Sequence, residues 1–389
     1  MKVFIFINAP FPEGMASTRR VLCYAKGLAA AGVEAEIDVM HPFYAKESDT
    51  DFPSAGVFEG ITYNYICGKV YPHSAIRRKL KRNISDMIAL YSFAIKHVKK
   101  GDIIYCNFRR IVSAYVLMLA AKKTGAKIVH ELCEIPYINM KLKSRFKRWY
   151  YQTFQMQHFD GIVPISHTLD EYVHQHSPKM KTLIVPILVE DDKKLLFEEN
   201  SYRVPYIVHT GTMVENKDGI SYILKAFSKF KISDTSGCRL VFTGPQANEK
   251  CSYLPMMEEL GIRSFVDLLG MVSMERVTDL QHYATLSIIY KAENLQTKYC
   301  FPTKLGEMLV SGVPVVATSV GEANYYLKNK ENAYVVKPFD VDELARTIKH
   351  VFSNIDEGKL IGHNGREMAL KDFSPNKHGA RLKEFFETL

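Results

Sequence analysis

At 389 residues the chain is longer than one hydrophobic core usually supports, so two domains are expected. With 47% apolar and 24% charged residues it reads as a folding sequence, which excludes a disordered chain, and no apolar run approaches the roughly 18 residues of a membrane-spanning helix. The net charge of +9 is uneven: residues 1–200 hold 28 Lys and Arg against 20 Asp and Glu, nearly the whole excess, which suggests an anionic partner for the first half.

Residues 3–7 form an apolar strand, too short for a signal-peptide core. A loop over 8–18 follows, then a helix capped by Ser17 or Thr18 that runs to about Ala31 and stops at Gly32. Residues 33–40 are the next strand. This strand, loop, helix, strand order opens a doubly wound α/β domain. The loop lacks GxGxxG, so a dinucleotide fingerprint is absent. Gly14, Met15, Ala16 and Ser17 are small or flexible enough for a ligand to approach, but a plain connection reads equally well. Residues 45–65 look like an insertion or hairpin, and the basic run 76–82 leads into a helix over about 84–99. A strand over 103–106, a helix over 110–124 and a strand over 127–131 continue the pattern. His130 and Glu131 end that strand, where α/β sheets collect ligands.

Residues 141–151 interleave Lys141, Lys143, Arg145, Lys147 and Arg148 with Leu142, Phe146, Trp149 and Tyr150 at helical spacing. The apolar face either packs into the core or meets an interface. A strand over 161–165, a helix from Ser166 and a strand over 183–187 complete this half. Residues 190–204 are polar without a period, and the interdomain linker is placed at 191–204. Strands over 206–210, 239–243, 265–269 and 286–290 follow, the second and third ending at Gly244 and at Gly270-Met271. Asp218-Gly219 opens a helix to about Phe230. Helices over 341–352 and 358–370 precede a final helix from Pro375.

Between them lies Phe301-Pro-Thr-Lys-Leu-Gly-Glu-Met-Leu-Val-Ser-Gly-Val-Pro-Val-Val-Ala-Thr318. Pro302 suits a first helical turn; Leu305, Met308 and Leu309 share one face; Gly312 and Pro314 stop the helix before a buried strand. Thr303 and Lys304 sit at the helix N-terminus, which attracts anions, and Glu307 lies one turn on. A phosphate at the helix tip and a sugar diol beside Glu307 fit a nucleotide diphosphate. A βα crossover with surface charges fits the same spacing.

This stretch resembles the donor-site motif of glycosyltransferase family 4, most closely the subgroup with Pro-Ser/Thr-Lys at the helix start. The resemblance spans most of the chain, strongest over 205–350. It implies a GT-B architecture: two Rossmann-like doubly wound domains facing a central cleft, with residues 1–190 binding the acceptor, 205–370 binding a nucleotide sugar, and 371–389 crossing back to the first domain. It implies a retaining hexosyltransferase that uses a UDP- or GDP-linked sugar as co-substrate, with no cofactor and no essential metal. The acceptor is a glycan or a lipid-linked glycan, as in surface polysaccharide synthesis.

By this resemblance Glu307 holds the ribose, and Gly211-Thr-Met-Val-Glu-Asn-Lys217 matches the family's GRLxxxKG, with Lys217 on the diphosphate and Thr212 where the family has Arg. Tyr299 stands where much of the family has a second Glu, and His130 where it has a His on the donor sugar. By position alone Lys217 reads as a solvated lysine and His130 as a structural histidine. Lys217, His130 and Lys304 are thus the expected catalytic residues. Glu307, Thr303, Lys304, Gly211, Thr212, Gly244, Gly270, Met271, Tyr299 and Gly14 are the expected donor contacts. The basic half with Lys143, Lys147, Arg148 and Trp149 implies docking on an anionic membrane surface or a lipid-linked acceptor. The seven cysteines are scattered, with no CxxC and no His at metal spacing, as expected of reduced thiols in the cytoplasm. No HExxH, GxSxG or Walker loop is present, and no nucleic-acid motif accompanies the positive charge. An epimerase of the same fold and a non-catalytic nucleotide-sugar binder remain open.

Overall fold

A computed structural model describes residues 1–12, 14, 16–41, 54–67, 76–108, 111–138, 142–191, 195–196 and 200–389, with the backbone alone for residues 16, 76–82 and 143. The chain divides into two compact units, Met1–Leu188 with Pro375–Leu389, and Val189–Ser374.

The first unit runs β1 (Lys2–Ile7), α1 (Ala16–Ala30), β2 (Glu34–Val39), β3 (Ala55–Phe58), β4 (Ile61–Tyr65), α2 (Ile76–His97), β5 (Ile103–Asn107), α3 (Ile111–Thr124), β6 (Lys127–Leu132), α4 (Leu142–Tyr150), β7 (Gly161–Pro164) and α5 (His167–His176). Its sheet has the order β3-β4-β2-β1-β5-β6-β7, parallel except for the β3–β4 hairpin. Glu59 and Gly60, both at positive φ, turn that hairpin, which is part of the region expected to be an insertion. Residues 45–53 of that region, Met15 and Lys141 lie outside the described residues. β1 is central and buried from Val3 to Ile7, which is why its run is continuously apolar. The basic run 76–82 belongs to α2 itself, which begins earlier than its periodicity suggested.

Residues 183–187 were expected as a strand but join no ladder. Leu183 and Val185 donate to Ile162 and Pro164 carbonyls, while the carbonyls of Val185 and Pro186 accept from the Arg20 guanidinium at 2.9 and 2.5 Å. The segment meets β7 in a single bridge, Ile162 with Thr182, because Pro164 has no N–H to return to the Leu183 carbonyl.

The second unit runs β8 (Tyr206–Thr210), α6 (Glu215–Asp218), α7 (Ile220–Lys231), β9 (Arg239–Thr243), α8 (Leu254–Glu259), β10 (Val266–Leu268), α9 (Met274–His282), β11 (Leu286–Ile289), α10 (Leu295–Lys298), α11 (Thr303–Val310), β12 (Val315–Thr318), α12 (Ala323–Tyr326), β13 (Tyr334–Val336), α13 (Val341–Ser353) and α14 (Ile355–Asp372). Its order, β10-β9-β8-β11-β12-β13, is all parallel and reverses direction between β8 and β11. That is the strand order of a dinucleotide-binding fold, whose ligands lie beyond the carboxyl ends at the reversal.

Residues placed in a linker are tied to this unit where described: Asp191 takes both oxygens to Arg366 at 2.6 and 2.7 Å, and Leu196 N–H donates to Asp279 at 2.9 Å. The last helix, α15 (Pro375–Glu387), packs on α1 in the first unit, with Leu382, Phe385 and Phe386 in that unit's core. A Cβ on Gly379 would meet the Gly27 carbonyl carbon at 2.0 Å, so the two backbones touch where both residues lack side chains.

Candidate nucleotide-sugar site

The carboxyl ends of β8, β9 and β10 meet through glycines. Gly211 N–H donates to Thr243 at 3.1 Å and Gly244 N–H to Gly270 at 2.7 Å. Gly244 lies at φ +124°, and a Cβ there would stand 1.8 Å from the Gly211 carbonyl oxygen, so only glycine fits. The seam keeps three loops short and close at the strand ends.

Beside it, buried Asp218 carries one oxygen 2.7 Å from Lys291 Nζ, while its other oxygen accepts from Thr212 Oγ1 at 3.0 Å and from Val214 N–H at 3.4 Å. Burial raises its carboxyl pKa, but Lys291 and the Thr212 hydrogen bond outweigh burial and hold it below the usual range. Lys291 stands two residues beyond the end of β11. Its backbone N–H and C=O are both clamped by Thr318 Oγ1, at 2.8 and 3.0 Å, so the end of the 301–318 motif fixes the loop that leaves β11.

His209 is buried on β8. Its Nδ1 lies 3.0 Å from the Ile288 carbonyl and its Nε2 has no hydrogen-bond partner among the described residues. Burial first, then the charges of Lys304 and Lys291, lower its pKa to about 4, so the ring is neutral. Lys304 is the second residue of α11, and Pro302 occupies the N-cap at ψ 97° rather than the first turn. Burial lowers the Lys304 pKa; the charges of Asp218 and Glu307 oppose that effect and Lys291 adds to it. Lys291, Lys304, Asp218 and Glu307 therefore form one electrostatic cluster at the strand-order reversal. The cluster sets two cations and two carboxylates beside a helix N-terminus, an end whose free N–H groups attract anions.

Thr303 is exposed at the same helix tip, and Lys217 is exposed on α6, which precedes the left-handed Gly219 (φ 49°). Tyr299 ends α10 half-buried, and Met271 is 69% exposed after β10. The sequence reading missed Lys291. Its signal was slight: a lysine directly after the fully buried stretch Leu286 to Tyr290.

In the first unit, Gly14 is exposed before α1. His130 does not stand open at a strand end. It is 5% exposed, pairs with Cys106 across the sheet, lies with Nδ1 3.1 Å from the Cys106 carbonyl, and stacks on Phe159 at 4.7 Å. Burial lowers its pKa to about 4. The cause of the correction is that β6 continues to Leu132, so His130 is an interior strand position. Glu131 is likewise buried, bonded to Arg20 Nε at 2.5 Å and to Asn107. A cavity of about 310 Å3, lined by Asn8, Ala9, Ser17 and Asn107 among others, opens at this unit's own reversal between β1 and β5. Another of about 350 Å3, lined by Lys2, Glu34 and Asp102, lies at the amino end of β1, away from the ends where such sheets bind ligands.

On α4, Leu142, Phe146 and Trp149 are 81%, 62% and 49% exposed. Phe146 and Trp149 lie 5.5 Å apart, and Trp149 the same distance from Phe154. Lys147 lies over the Tyr137 ring at 5.4 Å, and Arg148 reaches the Ile138 carbonyl at 3.5 Å. The Lys143 side chain is outside the description.

Comparison with known proteins places these features. Residues 204–354 match the family described as Glycosyl transferases group 1. Solved structures of low sequence identity share the fold over the whole chain. Sucrose-phosphate synthase from Thermosynechococcus elongatus superposes with a TM-score of 0.77 at 16% identity, covering 100% of this chain and 99% of that one. The Anabaena protein HepE, solved in complex with UDP-glucose, gives 0.72 at 14% identity, covering 100% of both. The fold is GT-B, and the segment that carries the cluster lies within the match to the glycosyltransferase family. Among curated proteins, the MMP alpha-(1->4)-mannosyltransferase of Mycolicibacterium hassiacum is 28% identical over 170 residues, 43% of this chain. The match spans only 39% of that relative's length.

Proposed function

We propose that the chain is a retaining glycosyltransferase of family 4 that moves a hexose from a UDP- or GDP-linked donor to a glycan or lipid-linked acceptor, in surface polysaccharide synthesis at the cytoplasmic face of a membrane. The observation that carries the reading is the cluster of Lys291, Lys304, Asp218 and Glu307 at the reversal of a parallel sheet, inside the segment that matches the glycosyltransferase family. The α11 N-terminus and Lys304 take the diphosphate, and Glu307 takes the ribose hydroxyls. As the sugar leaves, charge develops on the diphosphate, and fixed cations stabilise it without reorganisation. Lys217 serves the same charge from α6. Thr212 stands in place of an arginine and is turned to Asp218, the carboxylate that Lys291 also binds, so Lys291 supplies a cation there. The nucleotide sugar is the co-substrate, and no cofactor is assigned. The first unit holds the acceptor.

Thermal shift with a panel of nucleotide sugars tests the donor assignment, since a ligand of the folded state raises Tm. A rise with one UDP- or GDP-sugar, and product on adding a lipid-linked acceptor, is expected. Binding without turnover would identify a non-catalytic binder, and donor conversion without acceptor an epimerase. No shift with any donor would end the reading.

We infer further that the first unit docks on an anionic membrane surface through α4. Its apolar residues stand exposed, and the cations Arg145, Lys147 and Arg148 share the same short helix. Each cation near an anionic surface contributes about 1 kcal/mol, and Trp149 suits the headgroup level. Among the described residues no helix is long and apolar enough to cross a membrane. Sedimentation with anionic and neutral liposomes at two salt concentrations tests the docking. Binding that needs anionic lipid, falls with salt and is lost in Lys143→Glu, Lys147→Glu, Arg148→Glu supports it; no association at low salt ends it.

A further inference from the structure

In the first unit three side chains from three elements converge, none of them assigned to the donor. His41 follows β2, Cys67 follows β4, and Asp86 sits in α2. One potential ligand atom from each lies within 4.8 Å of the other two. His41 Nε2 is 3.2 Å from Asp86 Oδ2, and Cys67 Sγ is 3.9 Å from the Asp86 carbonyl oxygen. The backbone dictates two of the three positions. β2 and β4 pair in parallel with Val39 opposite Tyr65, and the ladder continues through Ile66 N–H to Val39 O at 2.9 Å and Cys67 N–H to Met40 O at 3.0 Å. His41 and Cys67 are thereby carried side by side at the sheet's carboxyl edge, and Asp86 is buried against them.

We propose that His41, Cys67 and Asp86 are a binding site for a divalent cation of the zinc class, which pins the ends of β2 and β4 to α2. Nitrogen, sulfur and oxygen donors together are the set that zinc accepts. Tetrahedral bonds of about 2.0–2.3 Å put neighbouring ligand atoms roughly 3.3–3.8 Å apart; the His41–Asp86 separation of 3.2 Å already matches, and no pair exceeds 4.8 Å. The charges close as well: a carboxylate, a thiolate and a neutral imidazole cancel a dipositive ion in a buried setting. A cysteine binds such a cation as the thiolate, so the Cys67 proton leaves to solvent on binding. Water completes the fourth position. The role is structural and requires no part in sugar transfer.

The full chain, loaded with Zn2+ and dialysed, is analysed for metal, and Co2+ is substituted to read its absorption. About one equivalent is expected, with a sulfur-to-cobalt charge-transfer band and the ligand-field intensity of a tetrahedral ion. Cys67→Ser should lose the charge-transfer band, and Cys67→Ser and His41→Gln should each weaken zinc binding at least tenfold. A chelator should lower the Tm of the native chain and leave that of Cys67→Ser unchanged. Should Cys67→Ser fail to fold, His41→Gln carries the same comparison. No retained zinc or cobalt in the native chain, or equal retention by both variants, would overturn the site. Donor-induced thermal shift, measured in parallel, reports on the second unit and is indifferent to either outcome.

Discussion

Asp218 and Lys291 are the most constrained charged pair of the candidate site: both face inward, and Thr212, Val214 and Thr318 hold them from the surrounding loops. Removing one partner of a buried pair costs about 3–5 kcal/mol, because the other charge stays buried. Asp218→Asn should therefore lower Tm by several degrees and weaken donor binding, as measured by thermal unfolding with and without donor. Glu307→Ala should leave the fold intact and weaken nucleotide affinity at least tenfold, since each hydrogen bond to a charged group contributes about 1.5–3 kcal/mol. Calorimetry showing unchanged affinity would remove Glu307 from the ribose. Lys217→Ala should slow turnover on the order of 100-fold while nucleoside affinity holds, and full activity would leave Lys217 a surface lysine. At this scale the sequence was partly legible. Helical spacing put Lys304 and Glu307 on α11, but nothing local tied Lys291 to Asp218, which lies 73 positions away.

Elements show the same division. The apolar periodicity of 301–318 announced α11 and β12, and both formed where expected. Short pieces such as α10 and α12 escaped notice because their four residues carry no period; α10 is defined instead by the Asn294 cap, whose side chain accepts from Gln296 and Thr297 N–H groups. The α1–α15 contact depends on glycines that read as ordinary helix residues in sequence. Gly379→Ala should destabilise the chain by about 1–3 kcal/mol, because the added methyl meets backbone that has no rotamer to change. Chemical denaturation would measure this, and an unaltered midpoint would show that the helices separate freely.

Each unit has its own core, one around Ile5, Ile37 and Tyr105, the other around Ile207, Phe242 and Ile288. Residues 189–374 expressed alone should therefore unfold cooperatively and keep the donor-induced thermal shift, whereas residues 1–188 alone lack α15 and should fold poorly. Acid should weaken the whole chain. His130 and His209 have folded pKa values lowered to about 4, so the unfolded state binds more protons as pH falls from about 6.5 to 4, and stability is lost across that window. Asp38, raised by burial, acts with the opposite sign. Unfolding midpoints against pH should show the fall, with a shallower slope in His130→Phe; an identical slope would place the linkage elsewhere.

Composition, strand–helix alternation and the motif at 301–318 were enough to determine two α/β domains and the α11–β12 pair that carries Lys304 and Glu307, because periodicity and turn chemistry act within a few residues. Tertiary structure alone decided that His130 is interior, that Arg20 caps the 183–187 segment, that Lys291 faces Asp218, and that His41, Cys67 and Asp86 meet. Those outcomes depend on strand order and register, which bring together side chains that no local spacing relates.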